Sequence, residues 1–218
     1  MDDLFSDDDR QRIAEAIDAA EAATSAEIVP YVVVRSDMYP AARWRGGVLG
    51  ALLVLSAAAL LRTGDVLGAT SPLTDLFVLG AALGTGLAGA VAAGTLPMLT
   101  RALTPPNERA RAVYQRAVEA FMDQELFDTR DRTGILLFVS LTEHRIEVLA
   151  DRGIDERVDE SAWTDVTDHI RRGIEADRLT QGLLNGIERC GAVLDEHGLD
   201  AQSDAEDELV DRLQQENE

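Results

Sequence analysis

Two stretches without charged side chains constrain this chain more than any other feature. Residues 46–61 and residues 76–100 contain no Asp, Glu, Lys or Arg. A helix needs about 20 residues to cross a hydrocarbon core of about 30 Å. We therefore predict transmembrane helices at about 44–62 and 76–99, with Trp44, Arg45 and Arg62 extending the shorter one into the interface. The alternative is a pair of buried helices in a soluble core, which rarely stay uncharged for so long.

The distribution of Arg predicts how this hairpin is oriented. Three Arg residues shortly precede the first span and three follow the second, whereas only Arg62 lies in the connection between them. Because positively charged flanks stay in the cytoplasm, we expect the soluble parts and both termini on the cytoplasmic face. The start of the chain is acidic and has no apolar core of the kind a secretory signal requires. The pairs Gly46/Gly50 and Gly80/Gly84 have the spacing that allows close helix contact in lipid.

The sequence outside the hairpin predicts a small α/β sandwich assembled from two separated segments. Ser6 and Asp9 form a capping-box pattern before an amphipathic helix, and a β-branched strand follows it. After the hairpin come a helix, two strands joined by a turn too short for a parallel crossover, and two amphipathic helices. The predicted segments are the first part of the domain at 1–42, the hairpin at 43–101, the second part of the domain at 102–198, and a tail at 199–218.

Charge excludes one class of partner. The chain has 40 Asp plus Glu against 20 basic residues, all of them Arg, for a formal net charge of -20. Phosphate backbones repel such a chain, so we do not expect nucleic-acid binding. The excess of acid is also typical of adaptation to high intracellular salt, where carboxylates keep a surface hydrated. The tail carries eight acids against one Arg and is predicted to be disordered.

Several segments resemble one known family. They are RSDMYP at the end of the first strand, DRTGILLFVSLTEHRIEVLADRGIDERV across the two later strands, and GIEADRLTQGLLNGIERCGAVL in the closing helices. Together with the order of elements over residues 5–197, they resemble the TPM domain family, and in particular its bacterial membrane members with a two-span insertion. The resemblance implies a three-layer αβα sandwich on a small mixed β-sheet, interrupted by the transmembrane hairpin. It also implies a place in the bacterial inner membrane beside a membrane complex, a weak acid phosphatase activity in plant members, and a divalent cation in some members.

Candidate metal ligands converge on one edge of the predicted sheet. Asp131 precedes the first strand of the strand pair, Asp151 ends the second, and Asp155 follows on the next loop. Antiparallel pairing brings these carboxylates together, and oxygen ligands suit Ca²⁺ or Mg²⁺. The alternative is ordinary ion pairing with Arg130, Arg132 and Arg152. Asp37, Glu143 and His144 are expected at the opposite edge. A general acid/base role there would need a pocket around them, and ordinary turn residues explain them at least as well.

The residues give little support for zinc binding or for covalent catalysis by a cysteine nucleophile. The three His residues occur singly, without a second ligand at zinc spacing. Cys190 lies on the apolar face of a predicted helix, which indicates a core residue rather than a nucleophile.

Three functions therefore stay open. The first is a membrane-anchored accessory or assembly module of a membrane protein complex, with little or no catalysis. The second is a metal-dependent phosphohydrolase that uses Asp131, Asp151 and Asp155. The third is a structural homodimer formed through the glycine-rich spans.

Overall fold

A computed structural model describes residues 4–63, 71–129, 131–199 and 214–216. The chain divides into two compact units. The sandwich unit comprises Met1–Ser36 and Ala110–Glu218, and the hairpin unit comprises Asp37–Arg109. The predicted connection between the spans lies mostly outside the described residues, as do Arg130 and most of the acidic tail.

A mixed sheet forms the centre of the sandwich unit. Its strands are β1 (Glu27–Val33), β2 (Gly134–Ser140), β3 (Arg145–Ala150) and the short β4 (Gln214–Glu216), in the order β3-β2-β1-β4. β1 runs parallel to β2, and β2 pairs antiparallel with β3, which confirms the predicted strand pair. All seven residues of β2 are buried, as expected for a continuous apolar run. The acidic composition of the tail gives no signal for β4.

Three helices cover one face of this sheet. They are α1 (Asp7–Glu21), α7 (Trp163–Glu175) and α8 (Leu179–Glu196). The predicted capping box is confirmed at the start of α1, because Ser6 Oγ accepts from the backbone N–H of Asp9 while the Asp9 carboxylate accepts from that of Ser6. The buried core on this face includes Ile13, Ile17, Ile28, Val32, Ile135, Leu137, Val139, Val166, Ile170, Leu183 and Ile187.

A single helix, α5 (Pro106–Asp123), covers the other face from Ala110 onward. Val113, Ala117 and Ala120 of α5 pack in the cluster that contains Tyr31 and Phe138, whose rings stack with centroids 5.8 Å apart. Helices on both faces confirm the three-layer αβα sandwich. Helical spacing predicts an apolar face of α5 that includes Tyr114, Val118 and Met122 beside Val113 and Ala117, and this prediction is partly wrong. Tyr114, Val118 and Met122 are exposed, because alanines and Val113 make the contact with the sheet instead. A four-residue helix, α6 (Arg152–Asp155), follows β3.

The hairpin unit contains α2 (Pro40–Thr63), α3 (Pro72–Thr95) and α4 (Pro97–Leu103). Two of its helices, α2 and α3, are long and apolar enough to cross a membrane. The second differs from the prediction of 76–99, because Ser71 caps it earlier and Leu96 leaves the helical conformation just before Pro97. Proline lacks the N–H that would continue the hydrogen-bond ladder, so the helix is interrupted there.

Glycines on α2 contact α3 directly. A Cβ added at Gly46 would lie 2.6 Å from the carbonyl oxygen of Gly89, and one at Gly50 would lie 2.4 Å from that of Thr85. Gly80 and Gly84, by contrast, have nothing within 4 Å of such a Cβ. The small-residue spacing at Gly46/Gly50 is therefore used inside the hairpin, whereas that at Gly80/Gly84 is not.

Candidate functional site

The first candidate site is the edge of the sheet where β2 begins and β3 ends. The backbone N–H of Asp151 donates to the carbonyl of Gly134 (2.8 Å), and that of Gly153 donates to the carbonyl of Arg132 (2.9 Å). A Cβ at Gly153 would lie 2.4 Å from the carbonyl oxygen of Asp131, so only glycine fits this junction. The two loops are thus held in direct contact, and Asp131, Asp151 and Asp155 lie on this one edge.

Asp151 is engaged by protein groups within this edge. Its Oδ2 lies 2.7 Å from Nε of Arg132, and its Oδ1 accepts from another nitrogen of the same guanidinium (3.1 Å). Oδ1 also accepts from the backbone N–H of Arg152 (2.8 Å), which caps α6. The Asp151 side chain is only 8% exposed. Its charge is therefore balanced by Arg132, as the ion-pair alternative predicted.

The other two predicted ligands are in different surroundings. Asp155 and Asp131 are both exposed. Partial burial and the neighbouring Asp151 carboxylate raise the pKa of Asp155 above its ordinary value. Among the described residues, no three His, Cys, Asp or Glu side chains form a group that could hold a metal ion. The donor set fits a cation poorly, since both oxygens of Asp151 already face Arg132. We derive no chemical step through a metal, and the cation site stays a prediction.

We expect Asp155→Asn to raise the melting temperature slightly at pH 7, by about 1 °C. Because the folded state raises this pKa, protonation favours folding, and stability falls as the pH rises through the titration of Asp155. The amide carries no charge, so the gain should disappear at pH 3. Thermal unfolding of the full chain at both pH values measures this, with the exposed Asp131→Asn as control.

The same variant, Asp155→Asn, also tests the cation site, because bound metal would reverse the expected difference in melting temperature between variant and wild type. If Ca²⁺ or Mg²⁺ binds at this edge, excess metal raises the melting temperature of the wild-type chain. Asp155→Asn would then lose that rise and become the less stable protein in metal. A metal-dependent rise that persists in both Asp variants would place the cation elsewhere.

The opposite edge of the sheet holds a buried polar cluster. Glu143 is 2% exposed, and one of its oxygens accepts from the backbone N–H of Ser36 (3.2 Å). Its other oxygen accepts from the hydroxyl of Ser140, which in turn lies 2.8 Å from the hydroxyl of Ser36. This cluster joins the carboxyl ends of the parallel strands β1 and β2. Ser140 is completely buried, so this hydroxyl cannot meet a substrate, and the cluster fixes the strand ends.

The sequence placed Glu143 at this edge but missed both serines. Ser36 and Ser140 each lie at or just after a strand end, which is the only signal they carry. His144 lies in the adjoining turn with a positive φ of 50°. Asp37 is the first residue of the hairpin unit.

The thiol of Cys190 and the side chains of His169 and His197 also occupy positions that the packing of the fold explains. Cys190 is completely buried, and desolvation raises the pKa of its thiol far above the ordinary value, with a smaller contribution from Glu21. Nδ1 of His169 lies 2.7 Å from the carbonyl oxygen of Asp165, and Nδ1 of His197 lies 2.7 Å from that of Val193. Each histidine thus contacts the backbone of its own helix region.

Comparison with known proteins extends these observations. Residues 99–193 match the family model described as the TPM domain. A search of curated proteins finds no match. Among solved structures, the chain is similar to the NMR structure of the BA42 protein from the psychrophilic bacterium Bizionia argentinensis. The two share 17% identity over 99% of this chain and 98% of the other, with a TM-score of 0.61. This likeness shows a shared fold.

Proposed function

We propose that the protein is a membrane-anchored TPM module of the bacterial cell membrane, because residues 99–193 match the TPM domain model that the resemblance predicted. In this proposal α2 and α3 anchor it, and the sandwich unit works on the cytoplasmic face as an accessory or assembly module of a membrane protein complex. Its role is binding, with little or no catalysis.

One observation carries the proposal, namely the apolar surface of the hairpin unit. In each of α2 and α3, only 11% of the most apolar 18-residue window is buried. Large side chains point outward along both helices, with Trp44 77% and Phe77 78% exposed. Contiguous apolar patches of this extent are rare on soluble monomers and natural against lipid.

Polar contacts inside the hairpin unit support its use as a stable anchor. Arg62, at the end of α2, forms an ion pair with Asp75 near the start of α3. At the other end, Arg45 pairs with Glu108 (2.8 Å) and donates to the carbonyl of Leu103 (2.8 Å). Thr85 Oγ1 donates to the carbonyl of Gly50 in the middle (3.2 Å). These contacts join α2 to α3 at one end and at the centre, in addition to the glycine contacts, and they join α2 to α4 and α5 at the other end.

The distribution of Arg supports the orientation. Arg43 and Arg45 lie at the start of α2, and Arg101 lies in α4 after α3, whereas Arg62 alone marks the opposite end of the described hairpin. The positive-inside rule assigns the Arg-rich end to the cytoplasm. Both segments of the sandwich unit, the one before the hairpin and the one after it, are connected in sequence to that Arg-rich end.

The surroundings of the polar groups support binding over catalysis. Asp151 faces Arg132, and Glu143 is buried with Ser140. Both arrangements stabilise loops and strand ends of the sandwich. A rigid small domain on a membrane anchor is suited to holding a partner in place.

The test has three parts, all on the full chain in native membranes. The protein should stay in the membrane fraction after alkaline carbonate extraction, and an impermeant maleimide should label Ser71→Cys only from outside the cytoplasm. Crosslinking should then recover another membrane protein. Release into the aqueous fraction contradicts the anchor, and recovery of this chain alone favours the structural dimer instead.

A further inference from the structure

A groove runs between α1 and α8 on the outside of the sandwich unit. Its volume is about 520 Å³. One wall consists of three alanines of α1 and of Ala23 just after it, and the other is formed by residues of α8 from Gln181 to Asp195. At about 1.5 Å per residue, that part of α8 is roughly 21 Å long, or about four helical turns. The groove therefore has the length of a short helix.

Small side chains explain why the groove exists. Ala16, Ala19 and Ala20 lie at helical spacing on one side of α1, and Ala23 follows in the turn after the helix. A Cβ added at Gly191 would lie 3.0 Å from Cβ of Ala20, so α1 and α8 already approach closely at that point. Alanine side chains are too short to fill the space above this contact, and Ala19 and Ala23 are therefore exposed. Such walls allow a third helix to approach at the usual interaxial distance of about 8–10 Å.

The charges along the groove have one sign. Glu188 and Asp195 are its charged lining residues, and both are exposed acids. Within the described part of the chain, neither carboxylate has an ion-pair partner. A smaller recess of about 300 Å³ continues past Glu188 towards His169 and Arg189.

The charge of Arg189, which lines the smaller recess, is already compensated. Arg189 lies 2.9 Å from Glu196 and 3.6 Å from Asp165. Its hydrogen bond holds the pKa of Glu196 below the ordinary value. The groove thus combines an apolar floor with a negative rim.

We propose that this groove binds an amphipathic helix of a partner protein, one whose narrow apolar stripe is flanked by Arg or Lys. The stripe would lie on the alanines of α1 and on Leu184 and Ala192 of α8, while the basic residues would face Glu188 and Asp195. Helix-in-groove recognition of this kind uses apolar anchors spaced along three or four turns. The inference rests on the proposed function and names the docking surface and the chemistry of the partner.

A matched pair of leucine variants tests the groove in the full chain, held in phosphatidylcholine nanodiscs. Ala19→Leu fills it, whereas Ala22→Leu adds the same side chain at an exposed position of the same helix end that does not line the groove. The probe is a 16-residue peptide of Leu, Ala and Arg with one apolar stripe, compared with a scrambled peptide of the same composition. Fluorescence anisotropy measures binding, with empty nanodiscs subtracted.

We expect Ala19→Leu to weaken binding of the striped peptide by about tenfold or more, with Ala22→Leu within about twofold of wild type. Glu188→Gln combined with Asp195→Asn should also weaken binding and reduce its dependence on salt. Equal binding by the two leucine variants would overturn the proposal, and so would equal binding of the scrambled peptide. Self-association of the chain that Ala19→Leu abolishes would make a second copy the occupant and would also overturn it.

Crosslinking in native membranes separates this inference from the proposed function. Loss of the wild-type partner in Ala19→Leu, with retention in Ala22→Leu, supports both. A partner recovered equally with both variants contradicts the groove and leaves the accessory role intact. Recovery of no partner by the wild-type chain contradicts the accessory role itself.

Discussion

Gly50→Leu should destabilise the hairpin by about 2 kcal/mol or more, whereas Gly84→Leu should leave its stability nearly unchanged. A Cβ at Gly50 would lie 2.4 Å from the carbonyl oxygen of Thr85 and 3.0 Å from its carbonyl carbon. These are backbone atoms of α3, so the helices must separate to accept a side chain. At Gly84 nothing lies within 4 Å of the added Cβ.

In the proposed membrane setting the effect is large, because helices in lipid have no hydrophobic force to hold them together. Their association depends on close packing and on hydrogen bonds between them. Separation at Gly50 also removes the contact of Thr85 Oγ1 with the Gly50 carbonyl (3.2 Å), although this hydroxyl lies closer to the carbonyl of Ala81 in its own helix (2.8 Å). A leucine at Gly84 only replaces one lipid contact by another.

Unfolding of the full chain in mixed micelles, as the fraction of dodecyl sulfate increases, measures the difference. Trp44 reports on the hairpin when Trp163→Phe is present in every variant. Gly50→Ala should fall between wild type and Gly50→Leu. If the two leucine variants unfold together, α2 and α3 do not pack through Gly50.

Glu143→Leu should lower the melting temperature of the sandwich unit by about 10 °C, which corresponds to about 3 kcal/mol in a protein of this size. The Glu143 carboxylate accepts from the backbone N–H of Ser36 and from the hydroxyl of Ser140. Leucine fills a similar volume but removes the acceptor of the buried Ser140 hydroxyl and of the half-buried Ser36 N–H. The cost of unsatisfied donors exceeds any gain from the added apolar surface.

Glu147→Leu is the matched control. Glu147 lies on β3 and forms only a partly exposed ion pair with Arg145 (3.3 Å). Partly exposed pairs of this kind stabilise by less than about 1 kcal/mol. Thermal unfolding of both variants by far-ultraviolet circular dichroism gives the comparison. Equal melting temperatures would show that the Glu143 cluster contributes no special stability.

Much of the fold was predictable because its signals are local. The capping box of α1 depends on residues three apart, and the β2–β3 pair follows from a turn too short for any other connection. The apolar run of β2 predicted burial on both sides, which the helices on the two faces of the sheet supply.

The candidate sites were less predictable because their contacts join distant residues. Ser36 meets Glu143 across 107 positions in the sequence, and Arg132 meets Asp151 across 19. Asp131, Asp151 and Asp155 were correctly placed on one edge, yet the sequence left open whether an Arg would face Asp151. The α1–α8 groove could not be foreseen either, since its two walls come from opposite ends of the chain.

The sequence by itself determined the longer helices and the three main strands of this protein and the existence of two helices apolar enough for a membrane, because hydrophobic periodicity and the absence of charge are properties of contiguous residues. Tertiary structure alone decided which glycines of the hairpin touch, which acids are paired, and which alanines remain uncovered. Those outcomes depend on the approach of backbones that lie far apart in the chain, where differences of a few tenths of an ångström decide between contact and open space.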